Sequence, residues 1–326
     1  RAPFRSESSN VSEHIPLHND VQFLTEAFVK LTPVACLFTA HVEAVEILQT
    51  SAEKLKLLCG VKVKDPEAVR PNRQKLSLND DWHQQNFTRF FTGWRVQKMK
   101  FAVDMIVKAG GDTHKDTYEV QLVLGPGNTR DMSLSMLTAN PERTKVQDVI
   151  PIIGIAAHTH RNDISPPGND RTVGRLMRPA PLPVGTGLPC HIMGNFKLHP
   201  TGKPLSTGAY KQWNSSLFEE ITGDRYVSLL KTLVQKYTTY ADPRSLYKVA
   251  WPMMCHVNED IVPFVSPTLQ KQLADRPYFF SSISNSFTKL SKGCFPGKNM
   301  PPLVQDCVAK QMEIFDVPPE VADDLS

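Results

Sequence analysis

The periodicity of the chain changes at Lys211, and this change constrains the fold more than any other feature. Before it, apolar residues gather in short β-prone runs separated by turns. After it, they recur at helical spacing. Trp213, Leu217, Phe218 and Ile221 form one stripe, and Tyr226, Leu229, Leu230, Leu233 and Val234 form a second beyond a break at Gly223. Strands first and helices after, with one early helix, indicate an α+β organisation. The expected architecture is a mixed β-sheet covered by helices, then a helical, Pro-punctuated C-terminal part.

The early helix is predicted over Leu17 to Leu31, capped by Asn19 or Asp20 and stopped by Pro33. Two β-prone runs, Ala35 to Ala40 and Val45 to Leu48, flank a turn and predict a hairpin. Further strands are predicted in Lys100 to Lys108 and in Tyr118 to Leu124. The latter ends at the turn Gly125-Pro126-Gly127-Asn128. Ile152 to Ala157 has the continuous apolar character of a central strand. Leu176 to Leu182 and Leu188 to Phe196 predict two more strands around Gly185-Thr186-Gly187. Asp242-Pro243 marks a helix start, and Thr268 to Ala274 and Leu303 to Ile314 read as short helical pieces.

Several function classes are excluded by composition. The net charge is only +4 and no dense Lys/Arg run occurs, so no nucleic-acid partner is expected. Lys54-Leu55-Lys56 and Lys62-Val63-Lys64 read as a solvated face. No run of ~18 apolar residues exists, so no membrane is expected either. The six cysteines are scattered without a Cys-x-x-Cys pair, which fits reduced thiols of a cytoplasmic protein.

Candidate chemistry is sparse. His158 and His160 are two apart on a predicted strand, so both imidazoles can point to one side and reach one metal ion. A third ligand would be Asp163, His191 or Asp170. The plainer reading is a solvated pair at a strand end, with no metal. Cys190 and His191 are strand neighbours and point to opposite faces, so they are not a nucleophile and its base. Gly125-Pro126-Gly127 lacks the Gly-Lys-Ser/Thr ending of a phosphate loop. No complete active site emerges, and the chain is not expected to be an enzyme by itself.

The stretch Pro181-Leu182-Pro183-Val184-Gly185-Thr186-Gly187-Leu188-Pro189-Cys190-His191-Ile192-Met193-Gly194-Asn195-Phe196 resembles the "LPL…TGLPVHVNGYF" signature of sacsin repeats. Within it Gly187, Leu188, Pro189, His191, Gly194 and Phe196 carry the match. Trp213 and Asn214, before Leu217, resemble that family's "WN..L" helix, and Tyr226-Val227-Ser228-Leu229-Leu230 its "AYVxLL" continuation. Ile153-Gly154-Ile155-Ala156-Ala157 resembles "GGVAA", and Arg1-Ala2-Pro3-Phe4-Arg5 resembles "FRxPLR".

Sacsin repeats begin with an ATPase domain like that of the heat-shock-ninety chaperones. The resemblance therefore implies that residues 1–6 end an upstream ATPase domain. Residues 7–240 would form an α+β domain similar to a chaperone middle domain, and 241–326 a helical extension. It implies ATP for the parent protein, no cofactor bound by this segment, and client or cochaperone proteins as partners. The chaperones place an arginine just beyond the equivalent strand, against the terminal phosphate of ATP. Here Gly194 and Asn195 stand there, and the later basic pair of sacsin repeats has its counterpart in Lys203. Asn195 and Lys203 are thus the phosphate-contact candidates. The alternative is an interaction scaffold without catalysis.

Overall fold

The computed structural model describes residues 6–7, 10–11, 34–39, 41–51, 54–74, 97–109, 111–125, 129–139, 149–161, 174–178, 180–197, 210–240, 243–253, 256–259, 261–296 and 301–324. The predicted helix over Leu17 to Leu31 lies outside them. Strands β1 (Ser6–Glu7) and β2 (Asn10–Val11) form a small antiparallel pair.

The centre of the fold is one eight-stranded sheet of order β3-β4-β5-β6-β7-β10-β8-β9. Its strands are β3 (Ala44–Ser51), β4 (Lys54–Val63), β5 (Gln97–Ala109), β6 (Asp112–Leu124), β7 (Ile152–Arg161), β8 (Arg175–Arg178), β9 (Ala180–Gly185) and β10 (His191–Gly194). Neighbours are antiparallel except β10 and β8, which makes the sheet mixed, as the run order predicts. β5 and β6 pair along their whole length, Ala109 opposite Asp112, through a tight turn in which Gly111 takes φ +94°. Glycine has no Cβ to clash at that angle.

Two cores lie on the two sides of the sheet. On one side Val61, Val63, Val103, Met105, Val107, Val120 and Leu122 pack against Cys36, Leu37 and Phe38, and against Val69 of helix α1 (Pro66–Gln74). Residues 34–38 are helical, which corrects the strand predicted over Ala35 to Ala40. The reason is geometric. A strand sends successive residues to opposite faces, whereas Cys36, Leu37 and Phe38 all enter the same core. Thr39 closes this turn by donating to the Ala35 carbonyl at 2.9 Å, and the buried Arg73 of α1 donates to the Val42 carbonyl beside it.

After helix α2 (Thr129–Ala139), the other side is covered by α3 (Lys211–Glu220), α4 (Tyr226–Tyr240), α5 (Ser245–Ala250) and α6 (Val262–Ala274). The break predicted at Gly223 is instead a π-turn, Ile221–Arg225, joining α3 to α4 without interruption. The Tyr226 amide donates to the Ile221 carbonyl, five residues back. In a plain α-helix five residues would carry Tyr226 about 140° away from Ile221. The wider turn brings it back over the same face, so both apolar stripes reach the sheet.

The C-terminal part shares this second core through Trp251, Phe279, Phe315 and Val321. It combines α7 (Pro302–Ala309) and α8 (Pro319–Asp324) with two small strand pairs, β11 (Phe279–Ser281) with β12 (Ser286–Thr288) and β13 (Gly293–Cys294) with β14 (Glu313–Ile314). The helix predicted over Leu303 to Ile314 therefore ends at Ala309, and its last residues turn into β14. Ile314 and Phe315 are pulled into the aromatic cluster, which local propensity does not encode.

Candidate functional site

Gly187 to Phe196 form the entry to and exit from β10, and Trp213 and Asn214 of α3 meet that exit at the junction between the two elements, whereas Arg1-Ala2-Pro3-Phe4-Arg5 lies outside the described residues. The chain enters β10 through a loop that is tied down on every side. Thr186 donates its amide to the Gly174 carbonyl at 2.8 Å and accepts the Asn258 amide on its carbonyl at 3.1 Å. Its hydroxyl accepts the Leu188 amide at 3.2 Å. Gly187 takes φ +71°, and a Cβ on it would lie 1.8 Å from the His256 carbonyl oxygen. Only glycine fits there.

Alternation along the strand then sorts the motif. Leu188, Cys190 and Ile192 enter the helix-side core, while Met193 enters the opposite one. His191 is buried between them, and Pro189 leads the chain into the strand. A Cβ on Gly194 would lie 2.7 Å from the Phe196 ring, which stacks on Phe218 at 4.9 Å.

Trp213 and Asn214 grip the backbone that leaves β10. The Trp213 indole donates to the Asn195 carbonyl at 2.8 Å. The Asn214 amide both accepts the Lys197 N–H and donates to the Lys197 carbonyl, each at 2.9 Å. Asn195 itself donates its side-chain amide to the Ile150 carbonyl at 3.1 Å and is 1% exposed. Its side chain thus points inward, as part of the junction. Lys203, the other phosphate-contact candidate, lies outside the described residues.

His158 lies in a second polar cluster, which meets His191 of β10 across the Tyr118 ring, 4.9 Å from His158 and 6.3 Å from His191. A bulge between Thr117 and Tyr118 sets Tyr118 opposite His158 and Thr117 opposite His160. His158 Nε2 is 3.1 Å from Asp116 Oδ1, and His114 Nε2 is 3.7 Å from Asp116 Oδ2. Neither the His158 nor the Asp116 atom completes a hydrogen bond, because the contact is close but misaligned. The side chain of His160 lies outside the described residues. Among the described residues no three His, Cys, Asp or Glu side chains are arranged to hold a metal ion. The alternation His114-x-Asp116-x-Tyr118 on one strand face was the available signal for this cluster, and the pairing with β7 supplies the rest.

His191 and Cys190 are both buried. The Arg175 amide donates to His191 Nδ1 at 3.1 Å. Burial, then the charges of His158 and Arg175, pushes the His191 imidazole down to about 3, so it is neutral near pH 7. Burial pushes the Cys190 thiol far above its usual value, which the Tyr226 hydroxyl beside it offsets only slightly. A thiol held in that state is not a nucleophile.

A pH dependence follows for His191. Its folded value is depressed below the unfolded 6.5, so the unfolded chain binds the extra proton. Its contribution is fully present above pH 6.5 and is lost as pH falls towards 3, at about 1.4 kcal/mol per pH unit. His191→Asn keeps an acceptor near the Nδ1 position without titrating. Urea melts of the two proteins between pH 7 and 4 are expected to show a clearly shallower loss for the variant. Parallel losses would remove His191 as the cause.

The fold is thus an α+β unit in which a motif-built junction locks a mixed sheet to its helical cover. The chain is similar to human Sacsin, with 27% identity over 218 residues, covering 64% of this chain and 4% of that protein. It therefore spans a small part of the length of the relative it matches. At that level the similarity supports a sacsin-related chain. No protein-family model and no solved structure matches it. Among the described residues no helix is long and apolar enough to cross a membrane.

Proposed function

We propose that this chain is an internal segment of a large, cytoplasmic sacsin-like cochaperone. In this reading it relays the ATP state of an upstream ATPase domain and binds client or cochaperone proteins, in the position of a chaperone middle domain. The similarity to human Sacsin over 64% of the chain carries the proposal. ATP belongs to the parent, and the segment has no catalysis of its own. The junction suits a relay. The Asn195 backbone amide donates to the Ile152 carbonyl of β7 at 3.1 Å, and residues 195 and 197 are bonded to Trp213 and Asn214 of α3, so a displacement there would carry α3 and the π-turn and α4 continuous with it. Coupling of this kind is a rearrangement between two packed states.

The test is ATP hydrolysis by a chain extended upstream through an ATPase domain, compared with this chain alone. Hydrolysis by the extended chain only is the expected result. There, Lys203→Ala is expected to lower kcat about tenfold or more, the size of effect seen when a charge contact to a reacting phosphate is lost. An unchanged kcat would remove Lys203 as a phosphate contact and leave the rest standing. One observation favours the alternative of a scaffold: the position of the chaperones' arginine holds Asn195, whose side chain is committed to Ile150. Absence of nucleotide binding by the extended chain would decide for the scaffold.

A further inference from the structure

Among the described residues, the two ends of the sheet are covered unequally on the helix side. Over β6 and β7 that side lies beneath α4, α5 and the π-turn. Over β4 and β5 it carries Lys62, Lys98, Lys100 and Lys108, all exposed. Alternation puts them there. Val61 and Val63, like Val103, Met105 and Val107, point into the opposite core, so the residues between them face out. At the margin of the cover α4 adds the exposed Lys231, next to Lys100.

The carboxylates around this face are largely engaged. Asp224 pairs with Lys98 at 2.6 Å and also with Arg225, and Asp104 pairs with Lys115 at 2.5 Å. Glu119 pairs with Lys236. Glu220 pairs with Arg225 at 3.4 Å, and Glu46 lies on the edge strand β3 against Gly60. Lys100 reaches only a hydroxyl, that of Ser228 at 2.5 Å. Partial burial, then Arg225, Lys231 and Lys98, hold its ammonium below the usual lysine value. Crowding like charges costs free energy in the isolated chain, and a bound anion would recover it.

We propose that this open, lysine-bearing half of the sheet, centred on Lys98, Lys100, Lys108 and Lys231, docks an acidic segment of a partner protein. The side chains between the lysines identify the class of partner. They are Ala102, Ile106 and Thr117, beside the Lys115-paired Asp104, without an aromatic ring on which a base could stack or that could anchor in a lipid interface. Lysines on flexible stems act as point charges and match single carboxylates. The inference stands on this face alone and holds whether or not the ATP relay does.

The experiment is fluorescence anisotropy of a labelled Asp/Glu-rich peptide against the intact chain, with its Asn/Gln counterpart as control. Binding of the acidic peptide only, weakening steeply with salt, is expected. Lys98→Glu with Lys100→Glu and Lys231→Glu is expected to weaken it roughly tenfold or more. Lys271→Glu with Lys310→Glu, exposed lysines elsewhere, is expected to leave it nearly unchanged. Should the triple variant unfold in a thermal melt, Lys100→Glu with Lys108→Glu leaves the Lys98–Asp224 pair intact and is expected to weaken binding in the same direction. Equal binding by the folded charge-reversed and wild-type chains would overturn the proposal. So would tighter binding of a duplex oligonucleotide or of phosphatidylserine vesicles than of the peptide.

Discussion

Gly187→Ala is expected to destabilise the chain by at least about 3 kcal/mol. Two costs combine. The residue sits at φ +71°, where a side chain is strained, and its new Cβ would lie 1.8 Å from the His256 carbonyl oxygen. That oxygen belongs to backbone, so no side-chain rotation relieves the contact. The segment 256–258 would have to move and would pull the Asn258 amide from the Thr186 carbonyl. Gly111→Ala is the control. It has a similar φ of +94° but nothing within 4 Å of the added methyl, so only the strain of about 1 kcal/mol applies. Denaturant unfolding of the two variants checks this. Equal, small losses would mean that the loop gives way freely and is not the anchor described above.

The second large effect is expected at Trp213. Trp213→Ala should cost about 3–5 kcal/mol, because the ring is 2% exposed and its removal leaves a cavity in the helix-side core. Trp213→Phe separates the hydrogen bond from the bulk of the ring. It leaves the Asn195 carbonyl without the indole donor and should cost about 1–3 kcal/mol. Combined with Asn214→Ala, either change should show non-additivity, since both side chains hold the same backbone segment, 195–197. Additive losses in a double-mutant cycle would show that the indole and the amide act independently.

These two residues show what kind of signal the motif was. In the sequence, Gly187, Gly194, Trp213 and Asn214 stood out only through resemblance, without any indication of what they touch. In the structure Gly187 packs against the His256 backbone at the entry to β10, Gly194 packs against the Phe196 ring, and the Trp-Asn pair holds the backbone at the exit by hydrogen bonds. Asn195 was a candidate for phosphate because of its place after the strand. Its amide faces the Ile150 carbonyl, a partner 45 residues away in the chain, which no local pattern could indicate.

The sequence alone determined the features that arise from alternation and helical period. The α+β order, the β5 and β6 strands, the central Ile152–Ala157 run and the two apolar stripes after Lys211 were all legible. Each is a local pattern of side chains on one face, and burial then follows from the hydrophobic effect. Tertiary structure decided what depends on distant partners. It turned residues 34–38 into a helical plug, because the pocket they fill accepts Cys36, Leu37 and Phe38 together. It converted the Gly223 break into a π-turn, because both stripes had to face one sheet. It brought His158 to Asp116 across two strands, and it left the lysines of β4 and β5 uncovered. Strand pairing and helix placement join residues far apart in the chain, so such neighbourhoods exist only once the sheet has formed.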